Sequence, residues 1–103
     1  MVSYCGVSDV KRFVFTSMSD ADIQKSIEEA DDWIIEEIGP QDGNKMEIRK
    51  LSALVTARDI KIRDPQSVAI GPSGQQIQEN PLRYYNERID SIMSHYYNQI
   101  VMV

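Results

Sequence analysis

Few residues in this chain are candidates for catalysis or metal binding. The one cysteine, Cys5, has no basic residue beside it in the sequence to lower the pKa of its thiol, so we interpret it as a small buried or surface residue. One cysteine also supplies neither an internal disulfide nor a zinc site. The one histidine, His95, lies beside tyrosines, and the sequence names no partner that would make it a general base. We therefore expect no catalytic residue, no metal and no cofactor, and we predict that the protein is not an enzyme.

Acidic residues cluster in the segment that we predict to be the second helix. They project from the side opposite its apolar stripe, where they could bind a cation. The cluster consists of Glu28, Glu29, Asp32 and Glu36. Most runs of this kind are a solvated helix face, and we interpret this one in the same way.

Composition predicts a single globular domain over residues 1–103. Hydrophobic residues make up 42% and charged residues 26% of the sequence, which is typical of a folded chain with one modest core. No apolar run approaches the ~18 residues that cross a bilayer, and the first residues lack the pattern of a secretory signal. We expect a protein made in the cytoplasm that does not bind a membrane. Asp and Glu outnumber Lys and Arg by 16 to 11, for a net charge of −5, which disfavours general binding to duplex DNA.

Capping residues and apolar periodicity predict four helices, of which the first is short. The first begins near Ser8 as its cap, with Val10, Phe13 and Val14 on one apolar face. Ser19 and Asp22 resemble a capping box for the second, with Asp in the place that Glu usually takes, and Gly39–Pro40 ends this helix. The inward stripe of the second helix is Ile23, Ile27, Ala30, Ile34 and Ile38.

The third and fourth helices follow the same logic. Asn44 and Glu47 cap the third helix, and Asp64–Pro65 ends it because the residue before proline is pushed out of helical geometry. Asn80 caps the fourth, with Pro81 at its first helical position. The third helix turns inward Ile48, Leu51, Val55 and Ile62, with Leu54 at the edge; the fourth turns inward Leu82, Tyr85, Ile89, Ile92, Met93, Tyr96 and Ile100.

The segment 66–78 interrupts the two long helix patterns and is too long for a simple connection. Val68 and Ile70 alternate with small residues, Gly71 to Gly74 supply turn chemistry, and Ile77 follows. We read two short extended arms around a turn. The fold class is therefore mainly α, a small bundle of four helices (the first one short) with a β-hairpin-like excursion between the third and fourth helices.

Several apolar residues lie outside the predicted stripes. They give the chain more apolar surface than a solitary small bundle can cover, so we expect it to join a larger assembly. The excursion and the apolar C-terminal end are the two segments that could reach a neighbour. Two readings stay open for Trp33, as a core edge or a contact, and for the last residues, which could tuck under a helix. The predicted partner or oligomer contacts are Trp33, Ile35, Val68, Ile70, Ile77, Tyr84, Tyr97, Ile100, Val101, Met102 and Val103.

The order of these elements resembles the head–tail adaptor (connector) proteins of tailed phages and their archaeal relatives. Residues 4–13 resemble the family's short first helix. Residues 19–34 resemble its second helix, in which an isoleucine stripe leads to an alanine and an acidic, aromatic end. The excursion at Ile70–Gly71 and the Tyr84–Tyr85 start of the last helix extend the likeness over nearly the whole chain.

The resemblance implies a structural protein of the virion's head–tail junction, made in the cytoplasm of a host or prophage-bearing cell. It would form a homo-oligomeric ring, bind the portal protein and a tail or stopper protein, and let DNA pass through the channel without sequence reading.

Two other functions stay open. The first is an unrelated small helical interaction or regulatory module. The second rests on Ile70–Ile77, which fits the I-G-x-x-G-x-x-I pattern of KH nucleic-acid-binding domains, where the loop joins two helices and approaches single-stranded nucleic acid.

Overall fold

Residues 3–101 form four helices and two very short strands. The computed structural model describes the backbone of residues 3–101 and the side chains of residues 3–97. In chain order the elements are α1 (Val7–Val10), β1 (Val14–Phe15), α2 (Asp20–Ile38), α3 (Met46–Arg63), β2 (Val68–Ala69) and α4 (Pro81–Val101). This confirms the mainly α class, with a short first helix and a hairpin-like excursion between α3 and α4.

The short helix α1 begins earlier than the sequence indicated. Its N-cap is Gly6, whose N–H donates to Asp9 Oδ2 at 2.9 Å. The predicted cap Ser8 is wrong, because Ser8 is already inside the helix and exposed. The helix also ends before Phe13 and Val14, so these two residues do not share a helical face with Val10.

Helix α2 follows the sequence prediction closely. Ser19 Oγ accepts a hydrogen bond from the Asp22 N–H at 3.2 Å, which satisfies one of the free donors at the helix start. At the other end Gly39 has a φ of 79°, the left-handed conformation that glycine adopts without strain. The whole predicted inward stripe is buried: Ile23, Ile27, Ala30, Ile34 and Ile38.

Helix α3 is the central element of the core and packs against α1, α2 and α4. It is therefore buried on nearly every side between Leu51 and Ala57, including Leu54, which the sequence placed at an edge. The predicted inward residue Ile62 is wrong: it is 58% exposed, and Ile60 is buried in its place. Residues two apart on a helix point about 200° apart, and in its last turn α3 buries only the side that carries Ile60.

The start of α3 also differs from the prediction, whereas its end agrees. The N-cap position is Lys45, with no side-chain hydrogen bond. Asn44 belongs instead to the preceding turn, where its N–H donates to Asp42 Oδ1 at 2.9 Å. Asp64 is the C-cap, as expected for a residue before proline.

The excursion between α3 and α4 folds back on itself and on the start of the chain. Ile70 and Gln76 form a bridge, and the Ile77 N–H donates to the Ala69 carbonyl at 2.8 Å. The first arm also pairs with β1, in the antiparallel register Val14 with Ala69 and Phe15 with Val68. The sequence did not predict β1.

The last helix, α4, buries one face against α3. Tyr85, Ile89, Met93 and Tyr96 are buried as predicted, and Ile92 is half-buried. The inward assignment of Leu82 is wrong, because Leu82 lies in the exposed first turn. Ile100 falls among the residues whose side chains the structure does not describe.

Candidate functional site

The predicted contacts on α2 are partly covered by the protein itself. Trp33 is half-buried against the core, and the Arg58 guanidinium lies over its ring, 5.2 Å from the ring centroid. Ile35 is also half-buried. A cation over an indole face stabilises the ring where it lies. Trp33 therefore lies at the edge of the core, and its role as a partner contact stays a prediction.

The predicted contacts on the excursion are likewise half-buried rather than extended into solvent. Val68 pairs with β1, Ile70 donates its N–H to the Phe13 carbonyl at 2.8 Å, and Ile77 packs against the core. The backbone of this segment thus satisfies much of its hydrogen bonding within the chain. The excursion is a docked element and not a free arm.

Two of these predicted residues, Ile77 and Tyr84, meet in one surface groove of about 630 Å³ where the excursion runs into α4. The Tyr84 ring packs edge-on against Tyr85, 5.7 Å between centroids, and Arg88 lies 5.2 Å from the Tyr84 ring centroid. We call this the α4 groove; its lining residues are Ile77, Glu79, Asn80, Arg83, Tyr84 and Glu87. Its mixture of aromatic and charged groups suits a protein segment, because interfaces combine aromatic anchors with a polar rim.

Tyr97 and the residues after it close the predicted set. The Tyr97 hydroxyl donates to Glu37 Oε2 at 2.9 Å. Partial burial and the neighbouring Glu37 carboxylate raise the pKa of Tyr97 above its usual range. Ile100 and Val101 have only their backbone described, within α4, and Met102 and Val103 lie outside the described residues.

Sequence reasoning missed two of the most exposed apolar residues, Phe15 and Met46. Phe15 is 70% exposed because side chains alternate along a strand and its neighbour Val14 points into the core. Met46 is 79% exposed at the first position of α3. A short alternating Val–Phe pair was the only sequence signal for the first, and nothing local marked the second.

Met46 lies beside a second cavity, of about 660 Å³, which we call the basic cleft. It brings together segments that are far apart in the sequence, from α1, α3, the excursion and α4. Its lining residues are Asp9, Arg12, Phe13, Met46, Glu47, Arg49, Lys50, Ala53, Pro72 and Ile92. Three of them are basic and two acidic, in a chain that is acidic as a whole.

Both carboxylates of the basic cleft are engaged within the molecule. Asp9 Oδ2 lies 3.0 Å from Arg49 Nε. Partial burial opposes the ionisation of Asp9, but the Gly6 N–H and the Arg49 guanidinium outweigh it and lower the pKa of Asp9. Glu47 Oε1 lies 3.1 Å from His95 Nδ1. Arg12 and Lys50 form no ion pair with any described side chain, so they are the charges that the cleft presents to solvent.

A buried polar cluster joins the start of the chain to α2 and α3. The Asp31 carboxylate accepts from the Tyr4 N–H at 2.8 Å and from Ser52 Oγ at 2.6 Å, and Cys5 Sγ lies 3.2 Å from the same Ser52 oxygen. Burial raises the pKa of Asp31, although both hydrogen bonds oppose it. Burial also raises the pKa of Cys5 to about 11, so its thiol stays protonated and unreactive. The buried alternative for Cys5 is confirmed, and the cluster is structural.

Three further observations bear on function. Among residues 3–97, no three His, Cys, Asp or Glu side chains group as metal ligands would. Within residues 3–101, no helix combines the length and apolar composition needed to cross a membrane. Gly71 and Gly74 lie in a turn closed by the Gly71 N–H to the Gln75 carbonyl at 2.7 Å, and no helix follows before Pro81. The loop therefore does not join two helices as a KH loop does.

Comparisons with protein-family models, curated proteins and solved structures found no match to this chain.

Proposed function

We propose that this protein is a structural connector subunit of the head–tail junction of a tailed virus, which binds the portal protein and joins the capsid to the tail. The observation that carries the proposal is the order of elements. A short helix, two long helices, a hairpin-like excursion and a long last helix follow one another in the order that the connector resemblance implies. In this proposal several copies of the chain form a homo-oligomeric ring. The protein is made in the cytoplasm of the infected or prophage-bearing cell. The side of the ring away from the portal contacts a tail or stopper protein.

The surface supports a part in an assembly. Phe15, Met46 and Tyr97 expose large apolar side chains, and the α4 groove adds Ile77 and Tyr84. The interior is that of a well-packed protein, because no buried side-chain nitrogen or oxygen of the described residues lacks a hydrogen-bond partner. The net charge of −5 supports passage of DNA without binding, since like charges repel.

The direct test is native mass spectrometry of the purified chain mixed with the portal protein encoded in the same genome. We expect a complex that carries several copies of this chain on the portal ring. The matched control is the same mixture with an unrelated acidic helical protein of similar size. If the chain stays unbound and its gene does not lie beside portal and tail genes, the connector role is wrong.

A small helical interaction or regulatory module is the second candidate function. It is favoured by the docking of the excursion, because the pairing of β2 with β1 leaves residues 66–77 without the extended reach that an adaptor arm would use. The same mixture discriminates the two functions. A regulatory module would not bind the portal protein and would form a stable complex with a different protein of the same cell.

A further inference from the structure

Charge is distributed very unevenly between α2 and the rest of the chain. Eight of the sixteen acidic residues and one of the eleven basic residues lie in α2, so this helix carries a formal charge of −7 and the remainder carries +2. A single helix therefore holds more than the whole net negative charge of the protein. Such a separation favours contact between the acidic helix of one copy and a basic surface of another.

The acidic residues of α2 form a solvent-facing row. Glu28, Asp32 and Glu36 follow one another at spacings of four, so they lie above one another along about 12 Å of helix. All three are exposed, and none forms an ion pair with a described side chain. Like charges at this spacing destabilise a lone helix. A cationic surface on a partner would offset this repulsion between the three carboxylates.

The basic cleft has the complementary character. Arg12 and Lys50 line it and are exposed without an ion-pair partner among the described residues, and Met46 adds an exposed apolar side chain. None of the residues that line the cleft belongs to α2. The acidic row and the cleft are thus two different surfaces of the same molecule.

We propose that the acidic row of α2 in one copy docks into the basic cleft of the next copy, so that Glu28, Asp32 and Glu36 meet Arg12 and Lys50. Contact between two different surfaces is head-to-tail, and a head-to-tail contact closes into a ring when the rotation between neighbours allows it. The inference rests on the proposed connector function for its biological meaning. The charge complementarity between the acidic row and the basic cleft does not depend on that function.

Crosslinking of the free chain tests the contact without the portal. One variant carries Met46→Cys in the cleft, and another carries Lys25→Cys, an exposed position on the same side of α2 as Asp32. Native Cys5 is buried and does not compete. The two variants are mixed with a short bis-maleimide at low salt, and the rate of mixed-dimer formation is measured. The control pairs Met46→Cys with Asp90→Cys, an exposed position on α4. We expect the test pair to crosslink about tenfold faster than the control pair.

Two further measurements make the result decisive. High salt should remove the advantage, because it screens exposed charges. Adding Arg12→Glu and Lys50→Glu to the Met46→Cys variant should also remove the rate advantage of the mixed dimer. Adding Asp32→Lys and Glu36→Lys to the Lys25→Cys variant should then restore it. Circular dichroism checks that each variant is folded.

A mixed-dimer rate equal to the control, or faster dimerisation of either cysteine variant with itself, would overturn the head-to-tail contact. If the chain crosslinks in this way but does not bind the portal, the head-to-tail contact is supported and the connector function is wrong. If the chain binds the portal but does not crosslink, the connector function is supported and the head-to-tail contact is wrong.

Discussion

The hydroxyl of Tyr85 donates a hydrogen bond to the carbonyl of Phe13, 72 residues earlier, at 2.5 Å. The same carbonyl accepts the N–H of Ile70 at 2.8 Å. One backbone oxygen thus joins the last helix, the excursion and the segment before β1. Burial raises the pKa of Tyr85 above its usual range and so favours the protonated phenol that donates this hydrogen bond.

Replacing Tyr85 by phenylalanine should weaken this junction without opening a cavity. We expect Tyr85→Phe to lower the free energy of unfolding by about 1 kcal/mol, the usual contribution of one hydrogen bond, since Ile70 still satisfies the carbonyl. Urea denaturation followed by circular dichroism measures the loss. Tyr84→Phe is the control, because the Tyr84 hydroxyl makes no hydrogen bond within the described part of the chain; equal stabilities for the two variants would contradict the role of the Tyr85 hydroxyl.

The two isoleucines near the end of α3 should respond in opposite ways to truncation. Ile60 is fully buried, so Ile60→Ala should cost about 2–5 kcal/mol through lost burial and a cavity. Ile62 is 58% exposed, so Ile62→Ala should change stability by no more than about 0.5 kcal/mol. Thermal and urea unfolding of both variants measure the difference. A large loss at Ile62 would mean that a partner or a second copy covers it.

Asp31 should make the protein less stable as the pH rises. Its pKa is raised in the folded state by burial, so the protonated form is favoured there, and this contribution to stability is lost as the pH rises through the raised pKa. Asp31→Asn keeps the shape and can still accept from the Tyr4 N–H while donating to Ser52. We expect the stability of Asp31→Asn relative to the natural protein to increase from acid to neutral pH.

Urea unfolding at acid and neutral pH measures this relative stability, and the other carboxylates cancel in the difference. Asp90→Asn, at an exposed position that does not contribute to the raised pKa of Asp31, is the control for the loss of one surface carboxylate. A pH-independent difference for Asp31→Asn would show that burial does not favour protonation at this site.

The α4 groove should contribute to partner binding if the connector proposal holds. Arg83 lines the groove and forms an exposed i, i+4 ion pair with Glu87 at 2.9 Å. We expect Arg83→Glu to weaken binding to the portal about tenfold while lowering folding stability by less than about 1 kcal/mol. Asp90→Arg, an exposed charge reversal on the same helix away from the groove, should bind as the natural protein does. Native mass spectrometry with the portal protein measures both variants, and equal binding would place the portal contact elsewhere.

The elements that sequence analysis predicted best are those with a local cause. The α2 stripe follows from helical periodicity, and the Ser19 cap and Gly39 end follow from backbone chemistry within a few residues. Ile62 was misplaced because α3 is central and buried on most sides, so periodicity alone does not show which residues face solvent. Leu82 was misplaced because the helix extends beyond the core that its stripe contacts.

Strand β1 and the basic cleft could not be predicted because their causes are distant in the sequence. Val14 and its partner Ala69 are separated in the sequence by two long helices, and a two-residue strand has no pattern of its own. The cleft gathers Arg12, Met46, Pro72 and Ile92 from four separate segments. No local sequence pattern around these residues indicates that they line the same cavity.

The junction at the Phe13 carbonyl also sets an order of events during synthesis. The acceptor leaves the ribosome among the first residues, but its two donors belong to segments made after α3 and within α4. The long α2–α3 pair can therefore associate while the nascent chain is still incomplete, whereas the small sheet must wait for the later part of the chain. A chain that ends before Val68 keeps α2 and α3 but lacks both donors and the partner of β1, so its residues Val14 and Phe15 should be accessible to proteases.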